Sequence, residues 1–217
     1  MIIADSMLKF DDVGFSTATG NPIFSGFSLV VETGEKVVVQ GSSGVGKTTL
    51  LRMLLGVASP DSGEVSINGR IVDEDSCWEL RHLLAYVPQE IVPLERTARE
   101  FLDYAFSLNA NRDSGLDSEH LAGLMRYFEL PESHLDSTMT DLSGGERQRL
   151  GLIAAILLDR DILLLDEPTA SLDGVMKEKV VTWILCECRK TVLVISHDDI
   201  WARQDGGLRI VNFGGAV

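Results

Sequence analysis

The feature that most constrains the fold is a strand that runs directly into a glycine-rich loop and then into a helix. Segment 36–40 is apolar and rich in β-branched residues, which is typical of a strand buried on both faces of a sheet. The loop 41–48 follows, and 48–55 carries apolar side chains at helical spacing. We predict further strands at 83–87, 162–165, 192–195 and 208–211. Because these strands alternate with helices, we expect a mostly parallel sheet with crossover helices.

Two stretches depart from this alternation. Near the N-terminus, strand-like patterns at 8–10 and 27–31 predict an antiparallel β subdomain. Between about 95 and 160 the pattern is mostly helical, with breaks near 111–115 and at Pro131. The total of 217 residues suits a single domain. The predicted organisation is one α/β domain over 1–217, with a core at 1–90 and 161–217 and an inserted helical subdomain at 91–160.

The composition limits the possible partners. The net charge is −14, whereas proteins that bind nucleic acid usually carry a basic face, so no nucleic-acid partner is expected. Three cysteines without Cys-x-x-Cys spacing indicate reduced cytosolic thiols. The N-terminus Met1–Asp5 has no basic leader, and the apolar run near 150–158 is shorter than the roughly 20 residues of a spanning helix. We therefore expect any membrane role to depend on a partner chain.

The glycine-rich loop predicts a phosphate site. Glycines allow the backbone N–H groups to converge on a polyphosphate, and the helix that begins near Lys47 directs its positive end there. Lys47 adds a full charge, and Thr48 offers a hydroxyl to Mg²⁺. The predicted binding residues are Gly41, Ser42, Ser43, Gly44, Val45, Gly46, Lys47, Thr48 and Thr49. The alternative, a Gly/Ser-rich turn, is disfavoured by the strand before the loop and the helix after it.

Two carboxylates end the apolar strand 162–165. Asp166 and Glu167 are therefore predicted at the carboxyl edge of the sheet, where open α/β sheets bind their ligands. Asp166 suits the binding of Mg²⁺, and Glu167 suits a general base that acts on an attacking water. The alternative is a solvated strand end, which the phosphate loop in the same chain disfavours. The fold is thus predicted to be that of a P-loop NTPase.

The segment Leu142–Arg149 has two interpretations. Ser143 and Glu146, three residues apart and ahead of an apolar helix, form a capping box. The same helix start, with Ser143, Gly144 and Gly145, is also a second cradle for an anion. Since one chain needs only one γ-phosphate cradle, the second indicates a partner.

These eight residues match the signature motif of ABC transporter ATPases, and the chain resembles that family from about Leu8 to Gly215. The resemblance implies an ATP-hydrolysing subunit that uses ATP and Mg²⁺ and forms a head-to-tail homodimer or heterodimer. ATP would lie between the phosphate loop of one subunit and Ser143, Gly144 and Gly145 of the other. It also implies a separate transmembrane permease and a place on the cytoplasmic face of the membrane. The segment 93–100 and the short chain further resemble small bacterial metal exporters.

Four more residues take roles from this resemblance. Gln89 resembles the Q-loop glutamine, which contacts Mg²⁺ and the lytic water. Asp173 ends Ser171-Leu172-Asp173, which is similar to the D-loop at the dimer interface. His197 resembles the switch histidine at the γ-phosphate. Phe15 is the candidate for stacking on adenine, although another alignment places Thr17 there and Phe15 in the core.

Three functions are compatible with these motifs. The first is the ATPase subunit of a transporter, in which ATP closes the dimer and hydrolysis opens it. The second is an ABC ATPase that drives a membrane complex without moving cargo. The third, an ABC ATPase that acts on nucleic acid or ribosomes, is disfavoured by the acidic charge and by the lack of a coiled-coil, zinc or tandem module.

Overall fold

The computed structural model describes residues 6–108, 111, 115–203 and 207–214. The strands along the chain are β1 (Ser6–Ser16), β2 (Pro22–Glu32), β3 (Lys36–Gln40), β4 (Ser62–Ile67), β5 (Arg70–Ile71), β6 (Leu84–Val87), β7 (Ile162–Asp166), β8 (Thr191–Ser196) and β9 (Leu208–Asn212). The helices are α1 (Lys47–Leu54), α2 (Cys77–Leu80), α3 (Ala98–Ser107), α4 (Ser118–Tyr127), α5 (Gly144–Leu157) and α6 (Gly174–Thr182). Met1–Asp5, Gly215 and positions 112–114 of the predicted helix break lie outside the described residues.

The core is a parallel sheet with the strand order β6-β7-β8-β3-β9. The bounds of β3 are those predicted, and every residue of β7 and β8 is buried, as expected for strands covered on both faces. Because the strands are parallel, the residues that follow β3, β6, β7 and β8 meet at one edge of the sheet. The predicted α/β class is confirmed.

A second, antiparallel sheet is formed mostly by the N-terminal part of the chain, in the order β2-β1-β4-β5. β1 and β2 are 11 residues each, much longer than the predicted 8–10 and 27–31. Asp11 and Asp12 lie beyond the predicted strand 8–10, but here they are part of β1. The pairing of β1 with β2 changes register there, and Asp12 adopts a φ of 53°. This irregularity allows the strand to continue past two polar residues.

The helices α3, α4 and α5 lie between β6 and β7 in the chain, where the sequence predicted helical structure. α5 is buried on nearly all sides, and Gly151 within it has no room for a Cβ because Ile91 packs against it. The helix predicted at 176–187 is divided into α6 and a π-helical turn at Trp183–Glu187. Among the described residues, no helix has both the length and the apolar character needed to cross a bilayer.

Candidate functional site

A cleft of about 240 Å³ opens at the carboxyl edge of the parallel sheet. Four of the segments that line it were each predicted from sequence to belong to the site. They are the loop before α1, the end of β7, the residue after β8 and the segment after β6. The lining residues are Ile23, Ser43, Gly44, Gly46, Lys47, Thr48, Thr49, Gln89, Glu167, Ile195 and His197. The fold therefore brings together residues as far apart in sequence as Ile23 and His197.

The loop before α1 leaves the start of that helix open. Gly46, the residue before the helix, has a φ of 100°, and no side chain caps the helix. A Cβ at Gly46 would come within 2.7 Å of Ile23, so both the conformation and the space require glycine. The Lys47 ammonium donates hydrogen bonds to the carbonyls of Gly41 (2.7 Å) and Ser42 (2.8 Å), which holds the cation over the loop. The result is an uncapped helix start beside one positive charge.

Thr48 and Asp166 form a pair of hard oxygen donors below this loop. The Thr48 hydroxyl donates to Asp166 Oδ1 at 3.2 Å, although the two residues are 118 positions apart. Burial raises the pKa of Asp166, and the neighbouring Glu167 charge raises it further, while the Thr48 hydrogen bond opposes both effects. Oxygen donors of this kind, completed by phosphate oxygens, fit Mg²⁺.

Tyr86 is a neighbour of this pair that the sequence did not single out. Burial raises the pKa of its phenol to about 12, and the negative charge of Asp166 adds to the effect. The phenol therefore stays protonated and available as a hydrogen-bond donor beside the carboxylate. The position of Tyr86 in β6, next to β7 in the sheet, provides the contact, which only the strand order reveals.

Glu167 is held by the turn that follows β8. It is buried, with a φ of 48°, and its backbone N–H donates to the Ile195 carbonyl. The Ser196 hydroxyl and the His197 N–H each donate to Glu167 Oε2 at 3.2 Å. His197 Nδ1 lies 2.7 Å from Glu167 Oε1. A carboxylate in this position can accept a proton from a water in the cleft.

Gln89 is exposed and connects two cavities. It lines the cleft at the phosphate loop and also a second cavity of about 370 Å³ beside Gly144, Gln148 and Ser171. Gln89 thus lies between the cleft of the phosphate loop and the cavity beside the start of α5.

Ser143 and Gly145 of the signature segment line a third cavity, separate from the cleft of the phosphate loop. This cavity of about 330 Å³ is lined by Ser143 and Gly145 together with Leu172 and Asp173 of the D-loop segment. Among the described residues, none lines both this cavity and the cleft of Lys47. A Cβ at Gly145 would come within 2.9 Å of the Ser171 carbonyl, so the two motifs are in close contact. Asp173 also caps α6, accepting a hydrogen bond from the Met176 N–H.

The capping-box interpretation of Ser143 holds in the structure. Its hydroxyl accepts from the Glu146 N–H at 3.3 Å, and Glu146 accepts from the Ser143 N–H at 2.7 Å. Both bonds to Ser143 lower the pKa of Glu146. The cap leaves the N–H groups of Gly144 and Gly145 without an acceptor among the described residues.

Phe15 lies outside the lining of the cleft. Its ring is half-buried and stacks on Phe24, with 6.2 Å between ring centroids. Phe24 in turn packs near Gly46, so Phe15 is connected to the loop through one ring. The alternative residue, Thr17, is exposed and shares a hydrogen bond with Thr19. The adenine-stacking role of Phe15 stays a prediction.

A parallel sheet with a phosphate loop, a threonine–aspartate pair and a buried glutamate at one edge defines a P-loop nucleotide-binding domain. The family model for the ABC transporter matches residues 24–170. The chain belongs to the ABC transporter family, whose ATP-binding domains bind and hydrolyse ATP.

Relatives and solved structures agree with this assignment. The chain is 34% identical over 182 residues to the mitochondrial iron-sulfur clusters transporter ABCB7 of Oryzias latipes, covering 82% of this chain and 24% of the relative. It is 30% identical to the energy-coupling factor transporter ATP-binding protein EcfA2 of Methanospirillum hungatei, covering 89% of this chain and 50% of the relative. A dimeric ATP-binding cassette, MJ0796, solved after hydrolysis with ADP and Pi, superposes with a TM-score of 0.81 at 28% identity, covering 95% of this chain and 94% of that one.

Proposed function

We propose that this chain is the Mg²⁺-dependent ATPase subunit of a transporter and works as a dimer coupled to a separate transmembrane partner. The observation that carries the proposal is that one chain has two helix starts suited to phosphate, and that these line two separate cavities. A head-to-tail dimer, a homodimer or a heterodimer with a related subunit, would bring one surface of each kind to the same ATP. Gly144 and Gly145 of one subunit would then donate their open N–H groups to the γ-phosphate held by Lys47 of the other.

Different residues of the cleft bind the phosphates, hold Mg²⁺ and accept the proton. Lys47 and the loop N–H groups bind and orient the phosphates. Thr48, Asp166 and Gln89 would hold Mg²⁺, which neutralises charge on the phosphate oxygens. Glu167 accepts the proton of the attacking water, and its two oxygens are oriented by Ser196 and His197.

The membrane partner is proposed to dock beside Gln89. Among the large apolar side chains, Val92 (69% exposed), Leu94 (40%) and Tyr104 (50%) are exposed there or on the adjoining helix α3. Arg96 lies over the Tyr104 ring at 5.0 Å and adds a cation to the same surface. Exposed apolar side chains close in sequence to Gln89 are suited to bind a partner whose movement is coupled to the nucleotide site. This arrangement would place the chain on the cytoplasmic face of the membrane.

Turnover by a Glu167→Gln variant tests the catalytic part of this proposal. The amide keeps the shape of the side chain but cannot accept the proton, so steady-state hydrolysis should fall roughly 10²- to 10⁴-fold. ATP binding should persist, and the variant should accumulate as an ATP-bound dimer. Removal of Mg²⁺ from the parent protein with EDTA should abolish turnover. Unchanged hydrolysis by the variant would exclude Glu167 as the base.

A Ser143→Arg variant tests the dimer. The long cationic side chain would block the cradle, so the monomer should bind ATP normally while light scattering detects no ATP-driven dimer. Ser118→Arg is the matched control, because Ser118 is an exposed serine at the first position of another helix, α4. Dimerisation of the Ser143→Arg protein at parental strength would contradict the proposed role of the signature segment.

A further inference from the structure

We propose that the ion pair between Lys177 and Asp198 positions the His197 turn and makes ATP turnover depend on the D-loop segment Ser171–Asp173. This inference rests on the proposed function, since it concerns the control of the same reaction. Neither residue lines the cleft among the described residues, so both would act as positioning residues rather than catalytic ones.

Asp198 connects four parts of the chain around the site. Its Oδ2 accepts from Lys177 Nζ at 2.5 Å and from the Thr169 hydroxyl at 3.2 Å. Its Oδ1 accepts from the Ile200 N–H, and its backbone carbonyl accepts from the side chain of Gln40, the last residue before the phosphate loop. A single residue thus joins the ends of β3 and β7, the start of α6 and the turn after β8.

The path from Asp198 to the catalytic base is short. The Asp198 N–H donates to the Ser196 hydroxyl at 3.1 Å, and that hydroxyl donates to Glu167 Oε2 at 3.2 Å. His197 lies between the two residues in the chain and contacts both oxygens of Glu167. A displacement of Asp198 would therefore move the groups that orient the Glu167 carboxylate.

The path in the other direction leads to the signature surface. Lys177 lies one helical turn after Asp173, and its N–H donates to the Asp173 carbonyl at 2.9 Å. Asp173 lines the cavity of Ser143 and Gly145, which is the surface that a second subunit would cover. A partner that presses on the D-loop segment would thus shift the first turn of α6, and with it the ammonium of Lys177.

The Lys177–Asp198 ion pair is more buried than an ordinary surface ion pair. The side chains of Lys177 and Asp198 are 27% and 19% exposed, whereas those of the neighbouring pair Lys179–Glu129 are 35% and 58% exposed. Burial raises the pKa of Asp198, but Lys177 and the donors of Ile200 and Thr169 more than offset this and leave the pKa below its usual value. Loss of one partner would leave the other charge half-buried and uncompensated, which moves side chains.

The test compares steady-state ATP hydrolysis by Lys177→Met, Asp198→Asn, the double variant and Lys177→Arg. We expect kcat of each single neutral variant to fall about 10- to 100-fold, as for a misplaced catalytic group. The monomer's ATP affinity, measured by titration calorimetry, should stay within about twofold of the parent, because no binding contact is removed. The double variant should be no slower than the singles, since both break one interaction. Lys177→Arg should recover most of the rate.

Lys179→Met is the matched control, because it removes an ion pair from the same helix without touching Asp198. Its kcat should match the parent. An equal loss in Lys179→Met, or parental kcat in both single neutral variants, would overturn the proposal, as would additive losses in the double variant. The parent protein distinguishes the two proposals. Absence of ATPase activity in the parent counts against the proposed function, whereas these outcomes in an active parent count only against the role of the ion pair.

Discussion

The starts of α1 and α5 are both suited to phosphate, but they satisfy their backbone N–H groups differently. α1 begins after Gly46 with no side-chain cap and no acidic residue in its first turn. α5 begins after Ser143 with a complete capping box, and Glu146 adds a negative charge to its first turn. The first four N–H groups of any helix lack intrahelical acceptors, so the two helices meet the same requirement by different means.

The difference indicates what each helix start can do alone. The open start of α1, with Lys47 beside it, is completed only by an anion, so it can bind phosphate within a single chain. The start of α5 is already partly satisfied, and Glu146 repels negative charge. It therefore offers a weaker site that needs phosphate presented by another surface. This contrast supports the proposal that one chain holds the nucleotide while closure of the site requires two.

Lys47→Ala should have the largest effect of these substitutions, because it removes a charge from the phosphate site at the start of α1. A hydrogen bond to a charged group is worth about 1.5–3 kcal/mol, which corresponds to a loss of about 10- to 100-fold in ATP affinity. Calorimetric titration of ATP into the monomer measures it. Lys9→Ala is the control, since it removes one exposed lysine of β1 and the same charge. Equal affinities for the Lys47→Ala and Lys9→Ala proteins would mean that the loop N–H groups alone bind the phosphates.

Ser143→Ala tests whether the cap of α5 has a second role. Thr97 and Glu100 form the same capping box at α3, so Thr97→Ala is a matched change. Each variant should lose about 0.5–2 kcal/mol of unfolding free energy, read from urea denaturation. Only Ser143→Ala should also weaken ATP-driven dimerisation, by about tenfold, since its hydroxyl can donate to phosphate while it accepts from Glu146.

Sedimentation or light scattering at several protein concentrations, in a Glu167→Gln background that prevents turnover, measures the dimerisation. If the two alanine variants dimerise with equal affinity, Ser143 is a cap only, and the functional interpretation of the signature segment is reduced to its glycines.

The local features of the fold were predictable from sequence. β3 has the predicted bounds because its apolar, β-branched residues are followed at once by glycine. β1 was predicted too short because the apolar alternation at 8–10 is followed by Asp11 and Asp12, and only its pairing with β2 and β4 shows that the strand continues. A local pattern cannot report hydrogen bonds to a distant strand, such as the pairing of Leu8 with Ile67.

In the candidate site too, the local features were predictable from sequence and the long-range contacts were not. The loop, Asp166 and Glu167 were identifiable because each follows a buried strand. Tyr86 and Ser196, which contact the two carboxylates, were not, because their roles depend on strand order and on the turn after β8. The pair of Lys177 and Asp198 spans 21 positions and two elements, so no local pattern reveals it.

Asp166→Asn should have the smallest effect, opposite in sign to that of Ser143→Ala. Because the folded pKa of Asp166 is raised by burial, its contribution to stability falls as pH rises from the unfolded to the folded pKa. At pH 7 without ligand, the asparagine variant should therefore be more stable by about 1 kcal/mol, the scale of a single stabilising change. At acidic pH, where both states hold the proton, the gain should vanish. Urea denaturation at pH 7 and at pH 3 measures both. A variant less stable than the parent at pH 7 would show that the Asp166 carboxylate is stabilised by its protein neighbours without a ligand. The cleft at α1 would then resemble the capped start of α5.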